Sequence, residues 1–319
     1  MAPPTRRRPA PPPPVAAIVG PTASGKTDLA LALARHLPIE ILVADSRQAY
    51  RDMDIGTAKP DAAARAAVRH HLLDLVDPDQ PFSVADWLAR ARDLIPEVAA
   101  RGHLPLLVGG TGLYVSSLLD GYQLPSQAPP MEVRMQLIDE LEADGLTPLA
   151  ARLAETDPDA AARTDLRNPR RVLRALERAA TAGGPAPTPV AAPYPGRVAV
   201  LAISRPRHIL RARIDARVAW MFGHGLLEEV RRLLDAGYDP SLGPMSGHGY
   251  REAARVLVGE WTVEHAIEVT ARHTRQYAKR QLSWLRRDAR VVWLPAGSLP
   301  ADDGALVARA DLLLRALLA

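Results

Sequence analysis

At 319 residues, with 47% hydrophobic content, the chain is long enough for one large or two ordinary domains and apolar enough to bury a core. The absence of cysteine excludes disulfides and thiolate metal sites, and a net charge of +4 does not by itself demand a polyanionic partner. No apolar run approaches the length of a membrane span, so no membrane association is expected.

Residues 1–14, MAPPTRRRPAPPPP, are basic and proline-rich, which predicts a disordered arm; they lack the apolar stretch of a secretory signal. Val15 to Val19 reads as a short strand and Leu29 to Leu37 as a helix. Between them, Gly20-Pro21-Thr22-Ala23-Ser24-Gly25-Lys26-Thr27 satisfies G-x-x-x-x-G-K-[ST] in the strand-to-helix setting that the motif requires. Such a turn gathers backbone N–H groups at a helix N-terminus, adds the Lys26 charge and offers the Thr27 hydroxyl to Mg²⁺. It predicts a phosphate-binding loop. Phosphate chemistry in a chain without cysteine points to the cytoplasm.

Apolar runs recur at Ile41 to Ala44, Leu104 to Val108, Val198 to Ile203 and Val291 to Leu294, most of them separated by helical patterns. This rhythm predicts an α/β fold, a P-loop NTPase-like parallel sheet with crossover helices. One such helix follows Ser83 as N-cap, with an apolar face of Val84, Trp87, Leu88, Ala91, Leu94 and Ile95, and Gly102 closing its end. From Tyr122 to Pro195 the strand pattern stops and polar helical patterns take over, at Met131 to Asp144, Pro148 to Glu155 and Pro169 to Ala180. The expected organisation is a catalytic core of residues 15–121 and 196–319 interrupted by a helical insertion domain at 122–195.

The run ending at Ala44 is followed by Asp45, whereas the run ending at Val108 leads into Gly109-Gly110 with no acid. Strand carboxyl ends open on the crevice of a parallel sheet, so Asp45 is expected to face the phosphate loop. There it can assist a metal, accept a proton from a nucleophile or merely cap the next segment, and the residue types leave these roles open. Basic residues concentrate at 271–290, where Arg272, Arg275, Lys279 and Arg286 share one helical stripe with Tyr277 and Trp284 on another side. That stripe is either a solvated helix face, which a basic run alone favours, or a face that tracks phosphates. Arg163, Arg167, Arg170, Arg171 and Arg174 form a second patch. A small-molecule kinase using Lys26, Thr27 and Asp45, and an RNA-binding protein that keeps its P-loop as a switch, are the rival readings.

In chain order, GPTASGKT, ADSRQAYRDMDIGTAKP, HHLLDLVDPDQPFSVADW, LLVGGTGLY, NPRRVLRALE and TRQYAKRQLSWLR resemble the successive motifs of the tRNA dimethylallyltransferases. The resemblance implies transfer of a dimethylallyl group from dimethylallyl diphosphate to N6 of the adenosine 3′ of the anticodon, with Mg²⁺. It implies that Asp45 is the general base and Thr22 a catalytic threonine. The diphosphate falls to Gly20, Pro21, Thr22, Ala23, Ser24, Gly25, Lys26, Thr27 and Arg217, with Thr27 on the metal. Contact with a tRNA anticodon stem-loop falls to Asp45, Ser46, Arg47, Gln48, Thr111, Arg170, Arg171, Arg174, Gly249, Tyr250 and Arg251, together with the stripe Arg272, Arg275, Lys279 and Arg286. The SGHGYRE segment at 246–252 matches the tRNA-contacting loop, with Gly247-His248 where relatives carry a different pair. A monomer is expected.

Overall fold

A computed structural model describes residues 11–122, 130–184 and 192–319, so residues 1–10 of the expected arm lie outside the described residues. The first elements are β1 (Val15–Val19), α1 (Lys26–Ala34), β2 (Ile39–Val43), α2 (Ala62–Ala67), β3 (His70–His71), α3 (Val84–Ala100), β4 (Leu104–Gly109) and α4 (Gly112–Leu119). Next come α5 (Met131–Asp144), α6 (Leu146–Thr156), α7 (Pro158–Arg163) and α8 (Pro169–Ala182). The chain closes with β5 (Val198–Ser204), α9 (Arg207–Gly223), α10 (Leu226–Asp235), α11 (Tyr250–Leu257), α12 (Val263–Leu285), β6 (Val291–Pro295) and α13 (Gly304–Leu318).

The strands form one six-stranded sheet in the order β3-β2-β4-β1-β5-β6, and every pairing in it is parallel. β1 and β2 are buried along their whole length, which is why they read as unbroken apolar runs: a parallel sheet carries helices on both faces. On one face, α1 and α13 pack Leu29, Leu33, Leu306 and Leu314 against Ile18, Leu106 and Leu201. A separate apolar cluster joins Ile214, Val218, Leu226, Val230 and Ala266 of the C-terminal helices, and Met245 of the turn before α11, to Tyr50 and Met53. The expected helix after Ser83 is α3, entered through a capping box of Ser83 and Asp86, and its Trp87 donates its indole N–H to Val43 O at 2.9 Å. β3 is absent from the sequence reading because two histidines carry no strand signature; they pair beside Ile41 and Leu42 all the same. Among the described residues no helix is long and apolar enough to cross a membrane.

The chain divides into two compact units, Met1–Gly121 with Ala192–Ala319, and Tyr122–Ala191. The return to the first unit comes at Ala192, ahead of residue 196, because Ala192 N–H donates to Gly121 O at 3.2 Å and Tyr194 N–H to Leu119 O at 3.0 Å. Tyr194 also donates its hydroxyl to Pro13 O at 2.8 Å, so the last residues of the proline-rich arm are tied to this unit. The second unit has its own small core of Leu137, Leu149, Leu153, Val172 and Leu176. It also contains α7, which is too short for a periodic pattern and is started by Asp157, whose side chain accepts from Ala160 N at 2.8 Å.

At the far end of β2 from Asp45, Glu40 is buried and accepts from Arg101 Nε at 2.8 Å and Nη2 at 2.7 Å, with His71 Nε2 at 2.6 Å and His103 Nδ1 at 2.8 Å. The bidentate Arg101 bonds, joined by those of the histidines, hold its carboxyl well below the usual carboxylate range. A depressed folded-state pKa stabilises the fold above the unfolded value of 4.5, and that contribution is lost as pH falls through the folded-state pKa. Glu40→Gln is therefore expected to cost about 2 to 3 kcal/mol in urea unfolding at pH 7, with the gap to the parent narrowing as pH falls below about 4.5.

Candidate active site

The loop between β1 and α1 has three residues in the left-handed half of backbone space, Gly20 (φ 154), Ala23 (φ 62) and Gly25 (φ 99). Gly25 has no room for a side chain either, since a Cβ there would lie 2.4 Å from Ala301 Cβ. Ser24 N–H donates to Pro21 O at 3.2 Å, closing the turn, and Lys26 Nζ folds back onto the same carbonyl at 3.0 Å. α1 begins at Lys26, so its first amides, which have no partner within the helix, open beside that ammonium.

Thr22, Lys26, Thr27, Asp45, Gln48, Arg217, Tyr277 and Gln281 all line one small cavity of about 80 Å³. Arg217 reaches in from α9 with Nη1 3.5 Å from Thr22 Oγ1. Burial, and then the positive charge of Arg217, bring the Lys26 pKa down to about 8. Burial likewise lowers the Arg217 pKa, opposed by Asp28 and Asp45. Two cations held this close favour any anion that enters between them. Among the described residues that line the cavity, Asp45 is the one carboxylate.

Asp45 follows β2, but the sheet order puts β4 between β2 and β1, so the acid and the P-loop are not on adjacent strands. The glycines after β4 close that separation. A Cβ on Gly109 would lie 2.0 Å from Ala44 O, and one on Gly110 would lie 2.2 Å from Gln281 Nε2. Gln281, on α12, accepts from Thr22 N at 2.8 Å and donates to Gly110 O at 2.9 Å, bridging the P-loop to the end of β4. Asp45 is aimed by Arg47 N, which donates to its Oδ1 at 2.9 Å, while Ser46 N donates to Thr111 Oγ1 at 3.1 Å. Gln48 Nε2 donates to Thr57 O at 3.1 Å and Ala58 O at 3.2 Å. Burial, reinforced by the charge of Asp45, pushes the Tyr277 phenol up to about 12, so it stays a proton donor at neutral pH.

Gln281 was missed by residue-by-residue reading. Its signal was the helical spacing, since it lies one turn after Tyr277 and about half a turn from Lys279 and Arg286, on the face that GGTG must accommodate. Trp284, one turn further, sits where a Cβ on Gly112 would be 2.4 Å from its ring. The stripe therefore faces away from the cavity: Arg272, Lys279 and Arg286 are exposed, but Arg275 is withdrawn from it by an ion pair with Asp215 of α9.

The expected contact Tyr250 needs a larger correction. Its side chain is 2% exposed, it donates to Glu229 Oε1 at 2.6 Å, and a Cβ on Gly56 would lie 2.4 Å from its ring. Glu229 in turn accepts from Asp54 N, Ile55 N and Gly56 N, so Tyr250 shapes the 54–56 turn from within the core, where no side-chain contact to RNA is open to it. Gly249 (φ 99) donates its N–H to Glu252 Oε2 at 2.7 Å, and Arg251 lies beside Glu252 and His273. Arg47 reaches Gly243 O across the same surface. In the second unit, Arg163, Arg167, Arg170, Arg171 and Arg174 are all exposed, and Arg174 pairs with Glu177 at 2.9 Å.

The fold and the crevice define a P-loop α/β protein in which one cavity, among the described residues that line it, holds one carboxylate and two half-buried cations. The family described as IPP transferase matches residues 48–288, and that described as isopentenyl transferase matches residues 13–75. The chain belongs to the IPP transferase family. A relative from Roseiflexus castenholzii, named tRNA dimethylallyltransferase, is 48% identical over 300 residues, covering 94% of this chain and 96% of its own. One of the same name from Heliobacterium modesticaldum is 45% identical over 291 residues, covering 89% and 90%. The crystal structure of a tRNA isopentenylpyrophosphate transferase from Bacillus halodurans superposes with a TM-score of 0.71 at 37% identity, covering 96% of this chain and 97% of that one. A eukaryotic dimethylallyltransferase acting on tRNA gives 0.77 at 26% identity, with 93% and 77% covered.

Because the free Lys26 ammonium titrates near pH 8 and a bound anion raises that value, inorganic diphosphate binding should take up a proton above about pH 8 and weaken up to tenfold per unit. Calorimetry in buffers of different ionisation enthalpy measures the uptake. Lys26→Arg, which stays charged, is the comparison that removes the ligand's own titration, and it should lose this break.

Proposed function

We propose that the protein transfers a dimethylallyl group from dimethylallyl diphosphate to N6 of the adenosine 3′ of the anticodon in tRNA. The observation that carries this reading is the cavity in which Asp45 shares one space with Lys26, Arg217 and Thr22. In the reaction, the N6 lone pair forms the new bond to the allylic carbon while the bond from that carbon to the diphosphate oxygen breaks. Asp45 accepts the N6 proton. Diphosphate leaves with its charge taken up by the loop amides, Lys26 and Arg217, donors that count most where charge is developing. Thr22, whose hydroxyl lies 3.5 Å from Arg217, orients the leaving group or the acid. A kinase needs further acids around its metals, whereas Asp45 is the one carboxylate of the described cavity lining.

The donor set suits Mg²⁺, which takes one or two protein oxygens and completes its shell with phosphate oxygens and water. The Thr27 hydroxyl would hold it, and when bound it would neutralise charge on the diphosphate. A monomer completes the reading, and the absence of cysteine fits the cytoplasm.

The acceptor adenine must leave its stack to reach Asp45, and Ser46, Arg47, Gln48 and Thr111 surround that acid. The helical insertion contributes the phosphate grip. Arg170 and Arg171 stand in the first turn of α8, which holds no acid, so their charge adds to the positive end of the helix dipole. That placement costs the free helix and favours a polyanion. Exposed Arg272, Lys279 and Arg286, with exposed Arg251, supply a further basic surface, and Gly249, buried with its N–H on Glu252, shapes the loop behind Arg251.

The test is incubation with radiolabelled dimethylallyl diphosphate, Mg²⁺ and total tRNA, followed by digestion to nucleosides; unlabelled nucleosides, with Mg²⁺-dependent ATP hydrolysis or phosphoryl transfer in a parallel incubation with ATP, would install the kinase reading. Asp45→Asn should lower the single-turnover rate by at least about 100-fold while diphosphate affinity changes little. Replacing Arg170 and Arg171 by alanine should weaken stem-loop binding for every loop sequence alike, and flatten the slope of log affinity against log salt by about 0.7 to 0.9 per lost contact.

A further inference from the structure

The carbonyls of the P-loop are held from outside. Arg213 Nε, on α9, donates to Ala23 O at 2.8 Å, and Arg205 Nε, just after β5, donates to Ser24 O at 2.8 Å. Arg205 is buried, 9% exposed, and its Nη1 donates to Gly297 O at 3.1 Å and Leu299 O at 2.7 Å. All its bonded partners among the described residues are carbonyls of the P-loop and of the turn after β6, and its Nη2 is buried without a partner. A guanidinium placed here is not neutralised by a carboxylate in contact. It acts on the backbone.

The geometry of a trans peptide says how. A carbonyl and the next amide point to opposite sides, so a carbonyl drawn outward turns the following N–H the other way. Holding Ser24 O on Arg205 sets the Gly25 N–H, which leads into the first amides of α1. Holding Ala23 O on Arg213 fixes a non-glycine residue at φ 62, a conformation that needs its surroundings to persist. The turn after β6 is wedged against the same loop, since Ala301 Cβ lies 2.4 Å from where a Gly25 Cβ would stand.

We propose that Arg205 and Arg213 are positioning residues of the diphosphate site: they hold two successive P-loop carbonyls outward, so that the anion-binding amides are oriented before the donor arrives, and Arg205 locks that arrangement to the 297–299 turn. The proposal rests on the diphosphate reading of the loop. Neither arginine lines the cavity that holds Asp45 and Thr22. Their contribution is preorganisation, which appears as affinity for the diphosphate and as order in the free loop.

The experiment pairs calorimetric titration of inorganic diphosphate with hydrogen–deuterium exchange of the free protein, on the parent, Arg205→Gln, Arg205→Lys and Arg213→Gln. Arg205→Gln and Arg213→Gln should each lower diphosphate affinity by roughly 10- to 100-fold, the weight of one charge-assisted hydrogen bond. Exchange should quicken in the peptide covering residues 20–27, and for Arg205→Gln also in that covering 297–303, with the sheet unchanged. Arg205→Lys keeps the charge but cannot span both segments, so it should not restore either readout. Parent-like affinity and exchange in the glutamine variants, or full rescue by lysine, would overturn the proposal. Faster exchange throughout the sheet would also overturn it, by making Arg205 a fold residue. Should the Arg205 variants fail to fold, Arg213→Gln, altered at a half-exposed side chain, decides the question on the 20–27 peptide. A parent that does not bind diphosphate would instead sink the reading of the site itself.

Discussion

One side-chain amide joins the P-loop to the end of β4. The topology of the parallel sheet places β4 between the strand that leads to the P-loop and the strand that leads to Asp45. Gln281 spans this obstacle by accepting from Thr22 N and donating to Gly110 O, which it can do only because α12 lies directly on glycines. At Gly109, Gly110 and Gly112 any Cβ would fall within 2.4 Å of Ala44, Gln281 or Trp284. Gly110 and Gly112 are thus a landing surface for a helix, while Gly109 lets the end of β4 close on Ala44. Once α12 has landed, Tyr277 is carried to the cavity wall and the exposed basic residues of the same helix are turned away from it.

The electrostatics of the cleft follow from this closure. Lys26 and Arg217 are drawn into a small space, and burial together with mutual repulsion holds the lysine near pH 8 instead of 10.5. Asp28 and Asp45 offset part of that repulsion. A site with this balance pays in advance for a highly charged anion, and gives a carboxylate beside it a strong field in which to work. The arginines that hold the loop carbonyls add to the same positive field.

Several residues in functional-looking segments turn out to be masonry. Tyr250 and Gly56 come from two different motif segments, and in the fold they are one contact, with Glu229 gathering three backbone amides around it. Arg275, on the basic stripe, is spoken for by Asp215. Such pairings connect positions far apart in the chain. A motif shows that a segment matters, while only the fold separates the side chains that face the cleft from those that build the wall behind it.

The sequence by itself determined the strand-turn-helix of the P-loop, the parallel α/β rhythm, the helical nature of the insertion and the acid at the end of β2. Each of these is written in local spacing: apolar runs for buried strands, a 3.6-residue period for helices, glycine and lysine at fixed offsets for an anion site. Tertiary structure decided what local spacing cannot encode. It set β4 between β1 and β2, brought Gln281 to Thr22 across 259 positions of chain, and buried Tyr250 where a surface contact was expected. The physical reason is that a side chain's partner across the fold is chosen by how whole helices pack. Packing depends on where a missing Cβ leaves room, and no residue's immediate neighbours in sequence record that space.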